Sequence, residues 1–348
     1  MDNLFIALLA FVPLTIGGAV WGVSPVILFF LSALAIVPLA KYIGQSTEDL
    51  ATRTTPAVSA LLNVSFGNAT ELIIGVFALN AGLIGVVKAS ITGSIISNLL
   101  LVLGAAMFSG GWRREKQTFN KTGILAQSST LFLATIALIV PAIFFQTASG
   151  TAAPAVEGLS ILVSLVLVCM YGANLFFSLH THKHLYLEEA GKFEPRWSTA
   201  RAVATLIVAT LAVAWMSDIL VNSIEPVVAR LGWSQLFVGV IFVAVVGNAA
   251  EHFSAVLVAR KNRMDLALQI SIGSATQIVL VVAPAFVIFG ALLGHPMDLV
   301  FNIFELVSMV LAVLIVNFIV QDGESNWLEG LQLLAAYAIM AIAFFLHP

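Results

Sequence analysis

Apolar runs of roughly 20 residues, each long enough to cross the hydrocarbon core of a bilayer as a helix, recur along almost the whole chain with only short loops between them. We read eleven, near residues 4–22, 25–43, 56–82, 86–108, 121–145, 157–179, 200–222, 233–259, 265–290, 298–320 and 327–347. A soluble core cannot absorb them all. Of the 348 residues, 60% are hydrophobic and only 9% charged, with a mean hydropathy of +1.04. Apolar surface must therefore face lipid, and the expected fold class is an all-α integral membrane protein with no separate soluble domain. A net charge of -3, with no basic stretch interleaved with aromatics, excludes nucleic acid as a partner. The single cysteine, Cys169, cannot form an internal disulfide; lying in an apolar run, it is expected to be a small buried hydrophobe. Met1-Asp2-Asn3 lacks the basic region of a signal peptide, so the first apolar stretch is expected to remain as a helix.

With loops alternating between two sides, the side holding the N-terminus collects Lys41, Arg53, Arg113, Arg114, Lys116, Lys121, Lys183, Lys192, Arg196, Arg201, Arg260, Lys261 and Arg263, whereas the other receives only Lys88 and Arg230. That asymmetry predicts a cytoplasmic N-terminus and an extracytoplasmic C-terminus, in a multi-pass plasma-membrane protein. Comparing residue n with residue n+180 reveals an internal repeat: Gly67-Asn68-Ala69-Thr70-Glu71 falls on Gly247-Asn248-Ala249-Ala250-Glu251, and Gly93-Ser94 on Gly273-Ser274. The third and eighth spans are five crossings apart, an odd number, so the repeats should enter the membrane in opposite senses, as in many transporters. The polar stretch His180–Thr199 (HTHKHLYLEEAGKFEPRWST) separates the halves. The expected organisation is a peripheral first helix over 1–23, a five-helix repeat over 24–180, a cytoplasmic linker over 181–199 and a second five-helix repeat over 200–348.

Glu71 and Glu251 each fall near the middle of an apolar span. An ionised carboxylate there costs at least ~2.5 kcal/mol on insertion scales, so each should face protein or a water-filled cavity. Gly67-Asn68 and Gly247-Asn248 are poor helix-interior residues at mid-span, which predicts a local helix break with Gly67 and Gly247 forming it. A broken helix frees carbonyls, and these oxygens with the negative end of a half-helix suit a cation. Asn68 and Asn248 add oxygen beside each carboxylate. A hard dication such as Ca2+ takes six to eight oxygens, more than two glutamates offer, so carbonyls and water must complete its shell. One dication or protons can each neutralise the two carboxylates, whereas two bare charges at membrane depth are costly, so exchange is favoured over leak.

Weaker candidates surround this pair. Ser94, Ser97, Asn98, Ser274, Thr276 and Gln277 can serve as second-tier ligands or gates, or simply as the small and polar glue of membrane helices. His252, next to Glu251, could relay protons, yet its first-half equivalent is Leu72. His180, His182 and His184 with Glu188 and Glu189 could hold a regulatory metal, although a solvated loop explains them better. Asp218, Glu225, Asp298 and Glu305 lie toward span ends and receive no assignment. No HExxH, nucleophile–base pairing or cofactor loop appears, so no enzyme activity and no cofactor are expected.

FGNATELI at 66–73, VVKASITGSIISNLLLVLG at 86–104, GNAAEH at 247–252 and SIGSATQI at 271–278 resemble the cation/proton exchanger (CAX) family of the Ca2+/cation antiporter superfamily, most of all its short Bacillus-type bacterial Ca2+/H+ antiporters. The resemblance covers nearly the whole chain. It implies an eleven-helix fold, an alternating-access cycle, Ca2+ export driven by proton entry and an assembly that is often a homotrimer. It also implies Glu71 and Glu251 as the main Ca2+ and proton ligands, with Asn68 and Asn248 close by. The first motif lacks the proline that sodium/calcium exchangers commonly place just before the acidic residue, which favours protons over Na+. A Na+/Ca2+ exchanger is the nearest alternative, and a passive cation channel a more distant one.

Overall fold

The computed structural model describes residues 2–148, 153–182 and 196–347. Eight of its helices are long and apolar enough to span a bilayer: Asn3–Val20, Pro25–Ala51, Ile84–Gly111, Lys121–Thr147, Ala155–Thr181, Thr199–Leu231, Met264–Leu293 and Trp327–Leu346. Two more spans are helix pairs bent at a break, Leu61–Gly67 with Ala69–Asn80 and Gln235–Gly247 with Ala249–Arg260. A shorter apolar helix, Ile303–Ile319, brings the described segments to the eleven that hydropathy predicts. That helix starts five residues later than expected because Asn302 caps it. Asn302 Oδ1 accepts the Glu305 N–H at 2.8 Å while Glu305 Oε2 accepts the Asn302 N–H at 3.0 Å, a reciprocal capping box. Prolines fall where a membrane helix can accommodate them, Pro25 in the first turn and Pro38 and Pro141 in helix interiors.

Part of the backbone repeats with the sequence, although the π-helical Val238–Val243 has an α-helical counterpart within Pro56–Gly67. Ser97–Val102 is a π-helical stretch, and adding the 180-residue offset lands on 277–282, which contains the π-helical Ile278–Val282. Such bulges break the regular i→i+4 ladder and tend to mark functional segments. Both directly follow the Gly-Ser motifs.

The chain divides into two compact units, Met1–Ser90 with Lys192–Ala250 and Phe344–Pro348, and Ile91–Gly191 with Glu251–Ala343. In the first, helix Pro25–Ala51 packs along Thr199–Asn222. The backbone leading into the latter helix is pinned at its start. Asp49, fully buried, accepts the N–H groups of Arg196 and Trp197 at 3.0 and 3.1 Å, Arg53 donates to the Trp197 carbonyl and to Thr199 Oγ1, and Tyr42 stacks on Trp197. An aromatic cluster of Phe29, Phe30, Trp233, Phe237 and Phe242 fills another part of this unit.

In the second unit, a two-residue antiparallel ladder pairs Gln117 with Ser325 and Thr118 with Glu324. Beside it Lys116 Nζ meets Glu324 at 2.6 Å, and that hydrogen bond raises the lysine pKa. Both partners are solvated, so the pair contributes little stability. Helix Ala155–Thr181 turns Leu162, Leu165 and Val166 outward, and Cys169 is exposed with them. The expectation of a buried cysteine fails because lipid tails and protein core select the same side chains, so an apolar run does not reveal which face a residue takes. Of the histidine-rich linker, the described part ends with His180 stacked on Phe176 and His182 on Phe177; His184, Glu188 and Glu189 lie outside the described residues.

Candidate cation site

Each GNxxE element interrupts its helix for one residue. Asn68 takes φ -101° and ψ 21°, and Asn248 φ -86° and ψ 11°, and the helix axes turn there by 51° and 59°. The interruption therefore falls on the asparagine. Gly67 and Gly247, expected to form it, are instead the last residues of the preceding half-helices, and neither takes a left-handed backbone. An asparagine suits the position because its short polar side chain competes for backbone groups in non-helical conformations.

The break arranges charge in two ways. Half-helices Pro56–Gly67 and Ala244–Gly247 end at it, and the last carbonyls of a helix lack intrahelical partners. Half-helices Ala69–Asn80 and Ala249–Arg260 begin at it, and Glu71 and Glu251 occupy their first turns. A carboxylate there sits at the positive end of the half-helix dipole, an aspect the sequence reading did not include and one that lowers the cost of holding a negative charge inside a membrane.

Glu71 is only 8% exposed, and both of its carboxylate oxygens are buried without a hydrogen-bond partner. Gly247 gives it room: a β-carbon on Gly247 would lie 3.0 Å from Glu71 Cγ and 3.3 Å from Cδ. The glycine is needed for the approach of a side chain rather than for backbone freedom. Asn68 and Asn248 are both buried, and Asn248 Nδ2 donates to the Ala244 carbonyl at 2.8 Å. Glu251 and His252 are partly buried, and the His252 Nε2 has no hydrogen-bond partner.

Of the second-tier residues, the structure brings together Asn98 and Ser274, whose Nδ2 and Oγ lie 3.0 Å apart. This bond joins the π-helical stretch after the first Gly-Ser motif to the second motif itself. Ser97 donates to the Ser94 carbonyl at 3.4 Å, and Thr276 to the Ile272 carbonyl at 2.7 Å, each within its own helix. Gln277 is partly buried. Among the described residues no group of three or more His, Cys, Asp or Glu side chains could hold a metal. Amide, hydroxyl and carboxylate oxygens, which these two motifs do offer, are the hard donors that Ca2+ prefers.

The family of the sodium/calcium exchanger protein matches residues 24–180 and 201–346. The chain belongs to that family. Within it the chain falls in the cation/proton exchanger branch. It is 45% identical over its full length to 97% of a Ca2+/H+ antiporter of Aphanothece halophytica. With the Ca2+/H+ antiporter ChaA of Bacillus subtilis it shares 44% identity over 98% of each chain. The structure of native YfkE, at 43% identity, superposes with a TM-score of 0.88 over 99% of this chain and 100% of that one. At 16% identity, a structure of the H+/Ca2+ exchanger CAX shares the fold, with a TM-score of 0.72.

In this exchanger-family chain several polar residues escaped sequence reading. Glu305, left unassigned, is 3% exposed; besides closing the capping box it accepts from Thr92 Oγ1 at 3.3 Å. The Asn302-x-x-Glu305 spacing before an apolar run could have revealed it. Asp298 accepts the Val300 N–H at 2.8 Å and Asp218 the Asn222 amide at 3.1 Å, both local contacts. Asp49 and Gln117 carry no motif, and only the fold singles them out.

Proposed function

We propose that this chain exchanges Ca2+ for protons across a cell membrane, expelling Ca2+ as protons enter, by an alternating-access cycle in which Glu71 and Glu251 carry the cation or protons in turn. The single observation that supports this most is Glu71: a carboxylate buried in a membrane-spanning segment, at the positive end of a half-helix, with neither oxygen bonded. A bare charge so placed calls for a counter-ion, and a metal dication or a proton each satisfies it. Asn68 and Asn248 supply oxygen near the breaks, and His252, with a free ring nitrogen, passes protons beside Glu251. Neutral carriers cross the hydrocarbon at lower cost than a doubly charged one, so the loaded and the protonated forms move while the empty, ionised form does not.

The names of the relatives at 44% and 45% identity, both Ca2+/H+ antiporters, support protons as the counter-ion. Solved sodium/calcium exchanger structures at 17–20% identity bear on the fold alone. The Lys and Arg asymmetry supports a cytoplasmic N-terminus.

The test is 45Ca2+ uptake into proteoliposomes driven by an imposed pH gradient, compared with a Na+ gradient of equal size. Uptake that follows the pH gradient is expected. Uptake that follows Na+ instead would favour the alternative exchanger, and uptake indifferent to both would favour a passive pathway.

A further inference from the structure

We infer that Asn262 and Gln117 form a clasp holding the half-helix that carries Glu251, with Asn262 a positioning residue for cation binding that the first repeat lacks; this rests on the exchanger reading above.

A turn that both repeats share carries the inference. It closes half-helices Ala69–Asn80 and Ala249–Arg260 in the same way. Gly82 N–H donates to the Leu79 carbonyl and Leu83 N–H to that of Ala78, each at 2.9 Å; at the 180-residue offset, Asn262 N–H donates to the Ala259 carbonyl and Arg263 N–H to that of Val258, each at 3.0 Å. The backbone is left-handed in both turns, with φ 73° at Gly82 and 62° at Asn262. Glycine takes that conformation freely, whereas Asn262 is the one non-glycine residue to adopt it among the described residues. A glycine would serve this backbone as well, so the side chain of Asn262 needs an account of its own.

Its contact supplies one. Asn262 Oδ1 accepts from Gln117 Nε2 at 2.9 Å, and the same amide nitrogen donates to the Ala259 carbonyl at 3.0 Å, so one buried glutamine grips both the last turn of the half-helix and the turn beyond it. Further contacts back this grip. Arg114 donates to the carbonyls of Gly110 and Arg260, placing a cation on the last carbonyls of two helices. Gly110 leaves the space in which they meet, since a β-carbon there would collide with Gln117 Oε1 and lie 2.9 Å from the Ala259 oxygen. Gln117 is in turn paired with Ser325 in the two-residue ladder. Glu251 rides in the first turn of the clasped half-helix, and a continuous helix of 12 residues is a rigid element that carries a constraint from one end to the other. Gly82 has no side chain through which the half-helix of Glu71 could be held in this way.

The experiment uses the full-length protein, with pH-gradient-driven 45Ca2+ uptake into proteoliposomes measured against Ca2+ concentration, and with thermal melting and hydrogen–deuterium exchange of Ala249–Arg260 measured beside it. Asn262→Gly installs the residue found at Gly82 and removes a left-handed side chain from an exposed position, so the melting temperature should be unchanged or higher. It should nevertheless raise the KM for Ca2+ roughly fivefold, with the maximal rate within about twofold of wild type, and speed exchange in Ala249–Arg260. Asn262→Asp keeps an oxygen for Gln117 Nε2 and should hold KM within about twofold of wild type. Asn262→Gly with the wild-type KM, or Asp and Gly variants equally impaired, would overturn the inference and leave Asn262 as a turn residue. Wild-type protein that takes up no Ca2+ under a pH gradient would instead sink the exchanger reading; the clasp would then be upheld by faster exchange of Ala249–Arg260 in Asn262→Gly and overturned by unchanged exchange.

Discussion

The two GNxxE motifs share a sequence and a backbone yet differ in their surroundings. Each breaks at its asparagine, bends by a similar angle and places its glutamate in the first turn of the second half-helix. Around the first, the Glu71 side chain is buried and pressed against Gly247. Around the second, Glu251 is only partly buried and is followed by a histidine, and a β-carbon on Gly67, the counterpart of Gly247, would meet nothing within 4 Å. Duplication therefore fixes the local geometry, while tertiary packing, which the repeat does not encode, makes the two glutamates inequivalent.

The largest effect should come from the carboxylates themselves. Glu71→Gln and Glu251→Gln should each bring pH-gradient-driven Ca2+ uptake to the background of empty vesicles, because a neutral amide cannot alternate between cation and proton. If the inequivalence matters, Glu71→Asp should be nearly as damaging, since a tightly surrounded carboxylate cannot move to recover its reach, whereas Glu251→Asp should keep at least ~10% of the activity. Equal behaviour of the two aspartates in uptake assays would break the comparison.

Next in size is the glycine pair. In a helix, Gly→Ala by itself stabilises by up to ~1 kcal/mol, so any loss of function must come from what the new methyl touches. Gly247→Ala should lower uptake roughly tenfold, because the methyl arrives 3.0 Å from Glu71 Cγ and displaces the carboxylate. Gly67→Ala should be silent or slightly stabilising in a thermal melt. A silent Gly247→Ala would mean that the close approach to Glu71 has no functional weight.

These glycines also mark how far sequence carries. The eleven spans follow from hydropathy alone, since a bilayer demands a minimum apolar length whatever the packing. The helix breaks were legible as poor helix formers at mid-span, but which residue breaks was not: glycine tolerates helix or turn alike, and it is the asparagine, whose side chain competes for backbone groups, that leaves the helix. The clasp at Asn262 was illegible because asparagine and glycine both suit a left-handed turn, and only the fold brings Gln117 to the asparagine's side chain. Cys169 illustrates the complementary limit, that hydropathy reports the need for an apolar environment without saying whether lipid or protein supplies it.

The residue after each glutamate offers a smaller effect. His252→Leu installs the residue found at Leu72. If the ring nitrogen passes protons at the second motif, uptake at saturating Ca2+ should fall about threefold, and its dependence on pH should weaken. The reciprocal Leu72→His should leave the pH profile unchanged. A His252→Leu profile superimposable on wild type would assign His252 to packing.

The smallest effect is expected at the one position where the two pentapeptides differ, Thr70 against Ala250. Thr70 is buried at 3% exposure, while Ala250 is partly buried with its β-carbon 3.8 Å from where Gly44 would carry one. Gly44 has no side chain to meet the added atoms of Ala250→Thr, and the new hydroxyl can bond back to a carbonyl of its own helix as Thr276 does. The cost should be the difference in helix propensity, about 0.5 kcal/mol, with uptake within about twofold of wild type. A loss comparable to that of Gly247→Ala would show the second motif to be as tightly filled as the first, and the inequivalence of Glu71 and Glu251 would then have to rest on His252 rather than on packing.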